Sequence, residues 1–250
     1  MLHGYLSSKE AWTAQIEYFS RFYKVTALDF IGFGNSEALQ TPYSVGDYAD
    51  WLKIVMRKLN ISRPHVIAHS FGCRVAVKLA SVDENAFDKI LLTGPAGIIL
   101  PRGWKYRWKV KTYRFVKRFA PKFAEKRFGS KEYRSLSPIM KESYKKIVNE
   151  DLRECARRVQ NEVLIVEGRE DTVTTIAEAE IYLSQFPNAK LKMIEGDHFA
   201  FARYPLAFNV IAEEFLYDRT VYENRDCLCG CRAVLPDDGK NAGGDATKRL

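Results

Sequence analysis

The chain has 250 residues, of which 46% are hydrophobic and 28% are charged, a composition typical of a globular protein with a buried core. Its longest apolar run, at residues 94–100, is far shorter than the roughly 20 residues that a membrane-spanning helix needs, and no secretory signal begins the sequence. The net charge is +8, but residues 102–134 hold thirteen Lys and Arg against two acidic residues, so the basic character is local.

Five short runs rich in Val, Ile and Leu predict strands that are buried on both faces of a parallel sheet. Helical patterns alternate with them, which predicts an α/β fold with a mostly parallel, doubly wound sheet. The strands are predicted at residues 24–30, 64–69, 89–93, 163–167 and 190–195, and the helices at residues 43–59, 71–80, 175–185 and 205–216.

Residues 101–158 interrupt this alternation, because they contain no strand pattern and interleave aromatic with basic residues. We interpret them as a helical insertion, since structureless loops of this length are uncommon. The predicted core is therefore residues 1–100 and 159–217, and a composition rich in Asp, Gly, Asn and Lys predicts a disordered tail at residues 218–250. No nucleic-acid motif accompanies the basic residues, so an amphipathic insertion is expected. The alternative is weak contact with an anionic membrane surface, or binding of an acidic substrate.

The five cysteines are odd in number and irregularly spaced, so they do not form a disulfide framework. This favours a reducing compartment and a cytoplasmic location. Cys227, Cys229 and Cys231 cluster near the end of the chain without a fourth ligand nearby, and we therefore expect no metal site.

A serine lies between a predicted strand and a predicted helix in the sequence VIAHSFGCR, at residues 66–74. This is the G-x-S-x-G pattern of a nucleophile elbow, with Ala68 replacing the first glycine. Ser70 is therefore a candidate nucleophile. The alternative is that Ser70 only caps the helix that begins at Phe71.

An acid and a histidine follow two later strands, which end in VEGRED and IEGDHF. Because the carboxyl ends of parallel strands meet at one edge of a sheet, these residues should lie close to Ser70. A serine nucleophile needs a base, and that base needs a carboxylate, so His198 is the candidate base. The residues leave three candidate acids, Glu167, Glu170 and Asp171.

These motifs, together with the sequence LHGY at residues 2–5 and DFIGFGNS at residues 29–36, resemble those of the α/β-hydrolase family. The resemblance covers residues 1–216. It implies a triad of Ser70, Asp171 and His198 that requires no cofactor.

The resemblance also implies how a substrate would bind. The family's oxyanion hole would consist of the backbone N–H groups of Tyr5 and Phe71. His3, Gly4 and His69 flank that position and are the expected substrate-binding residues. The insertion corresponds to the family's cap.

The beginning of the sequence departs from the family pattern, in which some tens of residues precede the His-Gly motif. They supply a strand that lies between those predicted here at residues 24–30 and 64–69. Without it, both neighbours would leave backbone groups unpaired in a buried sheet. We therefore expect that the sequence is truncated or wrongly started, with the N-terminal strands missing.

The predicted function is hydrolysis of a small ester or related carbonyl compound through an acyl-enzyme intermediate. The partner is a small-molecule substrate, and no nucleic acid is expected; the oligomeric state is open. Two alternatives remain: a non-catalytic binding protein on a hydrolase scaffold, or another triad reaction such as that of a C–C bond hydrolase, a haloperoxidase or an acyltransferase.

Overall fold

The computed structural model describes residues 1–101, 133 and 135–217. The strands are β1 (Val66–His69), β2 (Ile90–Thr93), β3 (Val163–Gly168) and β4 (Ala189–Ile194). The helices are α1 (Thr13–Phe19), preceded by a 3-10 turn at Lys9–Trp12, then α2 (Val45–Lys58), α3 (Phe71–Val82), α4 (Pro138–Val148), α5 (Arg153–Arg158), α6 (Ile176–Gln185), α7 (Ala200–Arg203) and α8 (Pro205–Leu216).

The four strands form one parallel sheet in the order β1-β2-β3-β4. Val66 pairs with Ile90, Ile90 with Val163, and Val163 with Ala189. The strands therefore start in line, and their carboxyl ends meet at one edge of the sheet. This arrangement confirms the predicted α/β fold and places the residues that follow β1, β3 and β4 at a common edge.

Leu2 lies beside β1 and extends the sheet by one residue. It forms parallel bridges with Leu28 and Ala68, its N–H donates to the carbonyl of Ile67 (2.9 Å), and its carbonyl accepts from the N–H of His69 (2.9 Å). The predicted strand at residues 24–30 is wrong as a continuous strand. Within the described residues, Leu28 forms the one β-bridge in this segment, to Leu2, and the N-terminal amine of Met1 donates to the carbonyl of Thr26 (2.6 Å).

The alternation of side chains along the strands gives the sheet a hydrophobic core on each face. Ala68, Leu92 and Ile165 pack with α2, α3, α5 and α6, whereas Leu91 and Leu164 pack with α1, α7 and α8. The strands β1, β2 and β3 are completely buried, as predicted.

The edge strand β4 differs from the prediction of burial on both faces, because Lys190 and Lys192 are exposed. β4 is the edge strand of the four-stranded sheet. Its alternation of lysine with apolar residues is typical of a strand with one face in solvent.

The described part of residues 101–158, the predicted insertion, contains α4 and α5. Ser137 caps α4 by accepting the N–H of Met140 (3.2 Å). At the other end, the buried guanidinium of Arg74 on α3 donates to the carbonyls of Ile147 (2.9 Å) and Glu150 (2.8 Å). The insertion is thus attached to the helix that follows Ser70.

The basic segment at residues 102–134, apart from Tyr133, lies outside the described residues, as does the predicted tail at residues 218–250. Within the part of the chain that the structure describes, no helix has the length and apolar character needed to cross a bilayer.

Candidate active site

Ser70 occupies a sharp turn between β1 and α3. Its φ is 49° and its ψ is −106°, in a region that a residue with a side chain rarely adopts. Its side chain makes no capping hydrogen bond to α3, so the structure does not support the interpretation of Ser70 as a helix cap. Backbone strain of this kind is concentrated at functional sites, where the surrounding structure holds it in place.

Two glycines allow other segments to approach this turn. A Cβ atom on Gly72 would lie 2.6 Å from the carbonyl oxygen of Leu2, closer than side chains tolerate. A Cβ atom on Gly4 would lie 2.8 Å from Nδ1 of His69 and 3.5 Å from Cβ of Ser70. The segment from Leu2 to Gly4 therefore packs directly against the candidate nucleophile, as the predicted motifs require.

Asp171 and His198 form a hydrogen-bonded pair at the same edge of the sheet. Nδ1 of His198 lies 2.7 Å from Oδ2 of Asp171, and the pair is almost completely buried. Because an ionised carboxylate can only accept, Nδ1 carries the proton and Nε2 is left as the basic nitrogen. This is the orientation that a histidine needs in order to act as a general base.

Three further groups hold the carboxylate of Asp171 in place. Its Oδ1 accepts the N–H groups of Val173 (2.7 Å) and Thr174 (3.0 Å), and its Oδ2 accepts the Thr174 hydroxyl (2.9 Å). Burial alone would raise the pKa of Asp171. The hydrogen bond to His198, and then the two backbone N–H groups, outweigh burial and lower that pKa to about 2.

His69, the residue before Ser70, contacts His198, the candidate base. Nε2–H of His69 donates to the carbonyl of His198 (2.9 Å), and the two imidazole rings lie 4.7 Å apart. Burial lowers the pKa of His69 to about 3, so this ring is neutral. His69 therefore links the turn at Ser70 to the loop of His198.

Tyr5 and Phe71, the predicted oxyanion residues, lie side by side with their rings 5.6 Å apart. Phe71 begins α3, so its N–H has no acceptor within the helix and is directed out of its N-terminus. The hydroxyl of Tyr5 donates to the carbonyl of Met140 on α4 (3.3 Å). The candidate oxyanion segment is thus in contact with the insertion.

His3 lies beneath this segment and is fully buried. Its Nδ1–H donates to the carbonyl of Gly4 (2.7 Å), and its Nε2 accepts the N–H of Phe30 (3.1 Å). Backbone groups therefore engage both ring nitrogens. Any effect of His3 on a substrate has to act through the position of Gly4.

Sequence reasoning missed two residues that contact the acid and base. The Thr174 hydroxyl lies 3.1 Å from Nδ1 of His198 as well as bonding to Asp171. A Cβ atom on Gly94, whose φ is 52°, would lie 3.0 Å from the same nitrogen. The threonine could have been noticed as a residue three positions after an aspartate, where side chains of Asp commonly accept local backbone and hydroxyl hydrogen bonds. Gly94 had no comparable local signal.

The other two candidate acids are in different environments. Glu170 is exposed, whereas Glu167 is fully buried in β3. Neither carboxyl oxygen of Glu167 has a hydrogen-bond partner among the described residues. Burial, followed by the neighbouring Asp171, raises the pKa of Glu167 to about 9. Of the three acids, only Asp171 is hydrogen-bonded to His198. No group of three or more His, Cys, Asp or Glu in the described ranges is arranged to hold a metal ion.

Comparison with known proteins agrees with this geometry. A family model described as "alpha/beta hydrolase fold" matches residues 1–142. The chain belongs to the α/β-hydrolase family. Two solved structures share the fold: a hydrolase from Pseudomonas aeruginosa (TM-score 0.69, 18% identity, 87% of this chain and 88% of that chain) and an enol-lactonase from Burkholderia xenovorans (TM-score 0.68, 22% identity, 87% and 90%).

Two curated relatives with named activities match shorter segments. A probable lysophospholipase, BODYGUARD 3 of Arabidopsis thaliana, is 29% identical over 127 residues, which are 48% of this chain and 25% of the relative. The (E)-2-((N-methylformamido)methylene)succinate hydrolase of Acinetobacter baylyi is 39% identical over 72 residues, 29% of this chain and 27% of that protein. The chain thus spans about a quarter of the length of these relatives.

Proposed function

We propose that this α/β-hydrolase is a serine hydrolase that cleaves a small ester or a related carbonyl compound. The observation that carries the proposal is the buried Asp171–His198 pair at the same edge of the sheet as a serine held at positive φ. A helix start that serves only packing needs no buried Asp–His pair nearby. Nucleophilic catalysis by a hydroxyl needs a base and a group that orients that base.

In the proposed reaction, Oγ of Ser70 attacks the carbonyl carbon while Nε2 of His198 accepts the hydroxyl proton. The carbonyl oxygen becomes an oxyanion, which the N–H groups of Tyr5 and Phe71 would stabilise by roughly 3 kcal/mol each. His198 then gives its proton to the leaving oxygen, and the acyl-enzyme remains. Water attacks that intermediate by the same proton transfers and releases the acid.

The substrate class is inferred from both chemistry and relatives. Two of the named proteins, a probable lysophospholipase and an enol-lactonase, have names that indicate a bond between an acyl group and oxygen, whereas the name of a third, the succinate hydrolase of Acinetobacter baylyi, contains a formamide. We favour an oxygen ester because two of these three names indicate that bond. The triad by itself also suits C–C bond hydrolysis, perhydrolysis by haloperoxidases and acyl transfer, because specificity resides in the pocket and not in the triad.

Covalent labelling tests this proposal directly. A fluorophosphonate should label the full chain once per molecule, and Ser70→Ala should abolish the label. Ser20→Ala, which removes an exposed hydroxyl at the end of α1, is the matched control and should label like the wild type. A folded wild-type protein that takes up no label, or a label that survives Ser70→Ala, contradicts the proposal and favours a non-catalytic binding protein.

A panel of acyl esters of increasing chain length, together with a lysophospholipid and a C–C bond substrate, would then identify the reaction. Hydrolysis of the C–C substrate without hydrolysis of any ester would contradict the favoured class.

We further propose that the protein works in a reducing compartment such as the cytoplasm. Within the described residues, Cys73 and Cys155 are both buried free thiols, which supports this location.

We also propose a weak contact between the basic residues 102–134 and an anionic membrane surface. If this contact forms, the protein should bind anionic liposomes, and the binding should weaken as the salt concentration rises.

A further inference from the structure

Glu167 is a buried acid for which the proposed reaction has no use. It is the second-last residue of β3, and its side chain has no exposed surface. Among the described residues, no group donates a hydrogen bond to either carboxyl oxygen, and no basic side chain forms an ion pair with it. An ionised carboxylate in such a place would pay a large desolvation cost without compensation.

The titratable groups that face Glu167 offer it no positive charge. They come from three directions: Asp171 from the loop after β3, Cys73 from α3 and Glu178 from α6. The Cys73 thiol donates to the carbonyl of Ala68 (3.1 Å), and Glu178 accepts the N–H of Thr175 (2.7 Å), so both are already engaged. On β4, the residue in register with Glu167 is the apolar Met193.

The two neighbouring carboxyls are therefore unequal. Asp171 accepts four hydrogen bonds, from Val173 N–H, Thr174 N–H, the Thr174 hydroxyl and His198 Nδ1, whereas Glu167 accepts none. Hydrogen-bond donors stabilise the charged form of an acid, and like charges in a shared buried site do not both form. A single negative charge in this pair belongs on Asp171.

We infer that Glu167 is a positioning residue that stays protonated, so that Asp171 remains the one ionised carboxylate and keeps its alignment with Nδ1 of His198. This role rests on the proposed function of the Asp171–His198 pair. When Glu167 loses its proton at alkaline pH, a second negative charge appears beside Asp171. Repulsion between the two carboxylates then displaces the group that orients the base.

Two measurements on the full chain test this inference. The first is an infrared difference spectrum between the wild type and Glu167→Gln, which detects the carbonyl stretch of a protonated carboxylic acid without requiring activity. The band should be present in the wild type at pH 7, absent from Glu167→Gln, and lost from the wild type as pH rises through about 9.

The second measurement is the rate of fluorophosphonate labelling between pH 7 and 10.5. The wild-type rate should fall by about tenfold across a transition near pH 9, part of the roughly 10²–10⁴-fold that a well-placed general base contributes. Glu167→Gln and Glu167→Met should lack that transition, because neither can ionise. Glu170→Gln, which changes an exposed acid three residues away, should keep it.

The outcomes separate this inference from the proposed function. Labelling at Ser70 without the infrared band at pH 7, or an alkaline fall that persists in Glu167→Gln, overturns the inference and leaves the hydrolase proposal intact. The band without any labelling overturns the hydrolase proposal, and with it the positioning role. If Glu167→Gln does not fold, a pH-difference infrared spectrum of the wild type still tests the inference, because the absence of any carboxylic acid that loses its proton near pH 9 overturns it.

Discussion

Four residues define the acid–base side of the site: Asp171, Thr174, Glu167 and His198. The carboxylate of Asp171 is held by donors from its own loop, and only one of them is a side chain, the hydroxyl of Thr174. The arrangement fixes the orientation of His198 before any substrate binds. Such preorganisation is where an enzyme obtains its advantage over the same groups in water.

Thr174→Val removes that hydroxyl while retaining the backbone N–H and the shape of the side chain. Loss of one hydrogen bond to a charged group should destabilise the fold by about 1.5–3 kcal/mol. We expect the labelling rate at Ser70 to fall by roughly tenfold, because a loss of about 1.4 kcal/mol in the stabilisation of the pair corresponds to a factor of ten. The matched variant Thr172→Val alters an exposed hydroxyl in the same loop. Equal rates for the two variants would show that Thr174 does not orient the pair.

Asp171→Asn tests the pair itself. The amide can present an N–H to the histidine and so favour the wrong tautomer, for which a loss of about 10⁴-fold is known in serine proteases. We expect a comparable loss of labelling at neutral pH with little change in fold. Glu195→Gln, an exposed change close to the loop of His198, is the control. Retention of more than about a tenth of the wild-type rate in Asp171→Asn would contradict the assigned role.

At the scale of elements, the site depends on close contact between the start of α3 and the segment from Leu2 to Tyr5. The absence of a side chain at Gly72 makes that contact possible, because the nearest atoms are backbone atoms that cannot rotate away. The insertion joins the same junction, through Arg74 on α3 and through the Tyr5 hydroxyl. Displacing α3 should therefore affect Ser70, the oxyanion segment and α4 together.

Gly72→Ala should disturb this junction. The added methyl group would meet the Leu2 carbonyl at 2.6 Å, and overpacking of this kind costs about 1–3 kcal/mol in unfolding free energy. Labelling at Ser70 should fall as well, because the turn and the oxyanion segment separate. The control is Gly46→Ala in α2, where the methyl group meets only side-chain atoms at 3.6 Å or more.

Gly46→Ala should stabilise the protein by about 0.5–1 kcal/mol, as expected for alanine in place of glycine in a helix. Chemical denaturation measures both variants. A Gly72→Ala protein as stable and as reactive as the wild type would show that the junction tolerates a wider spacing.

At the scale of the whole molecule, the two acids give opposite dependences of stability on pH. Asp171 has its pKa lowered from 3.8 to about 2, so the stability it contributes is complete above pH 3.8 and is lost as pH falls through 2. Glu167 has its pKa raised from 4.5 to about 9. The part of the unfolding free energy that depends on protonated Glu167 is complete below pH 4.5 and is lost progressively as pH rises to 9.

We therefore expect the wild type to lose stability between pH 5 and 9 by up to about 1.4 kcal/mol per pH unit more than Glu167→Gln does. The free energy of unfolding, measured by urea denaturation at several pH values, gives the two slopes. Parallel slopes for the two proteins would indicate that Glu167 has an ordinary pKa in the folded state.

The sequence predicted those features that short segments determine. Apolar runs located β1 to β4, and the turn sequence around Ser70 located the elbow, because each depends on neighbouring residues. The prediction of a strand at residues 24–30 was wrong, because strand pairing depends on which other segment lies next to those residues in the sheet. For the same reason, the burial of Glu167 against Asp171 and the contact of Gly94 with His198 could not be predicted: they are set by packing between elements that are distant in sequence.

The bond from His69 to the carbonyl of His198 joins residues 129 positions apart, and it connects the ends of β1 and β4, which are not neighbours in the sheet. In the structure, β2 and β3 lie between these two strands, so the bond belongs to the fully assembled sheet. The loop-closure entropy of the whole sheet must therefore be overcome before the site exists. Labelling at Ser70 consequently reports on the assembled sheet: under increasing denaturant, reactivity should disappear together with the last cooperative unit of structure.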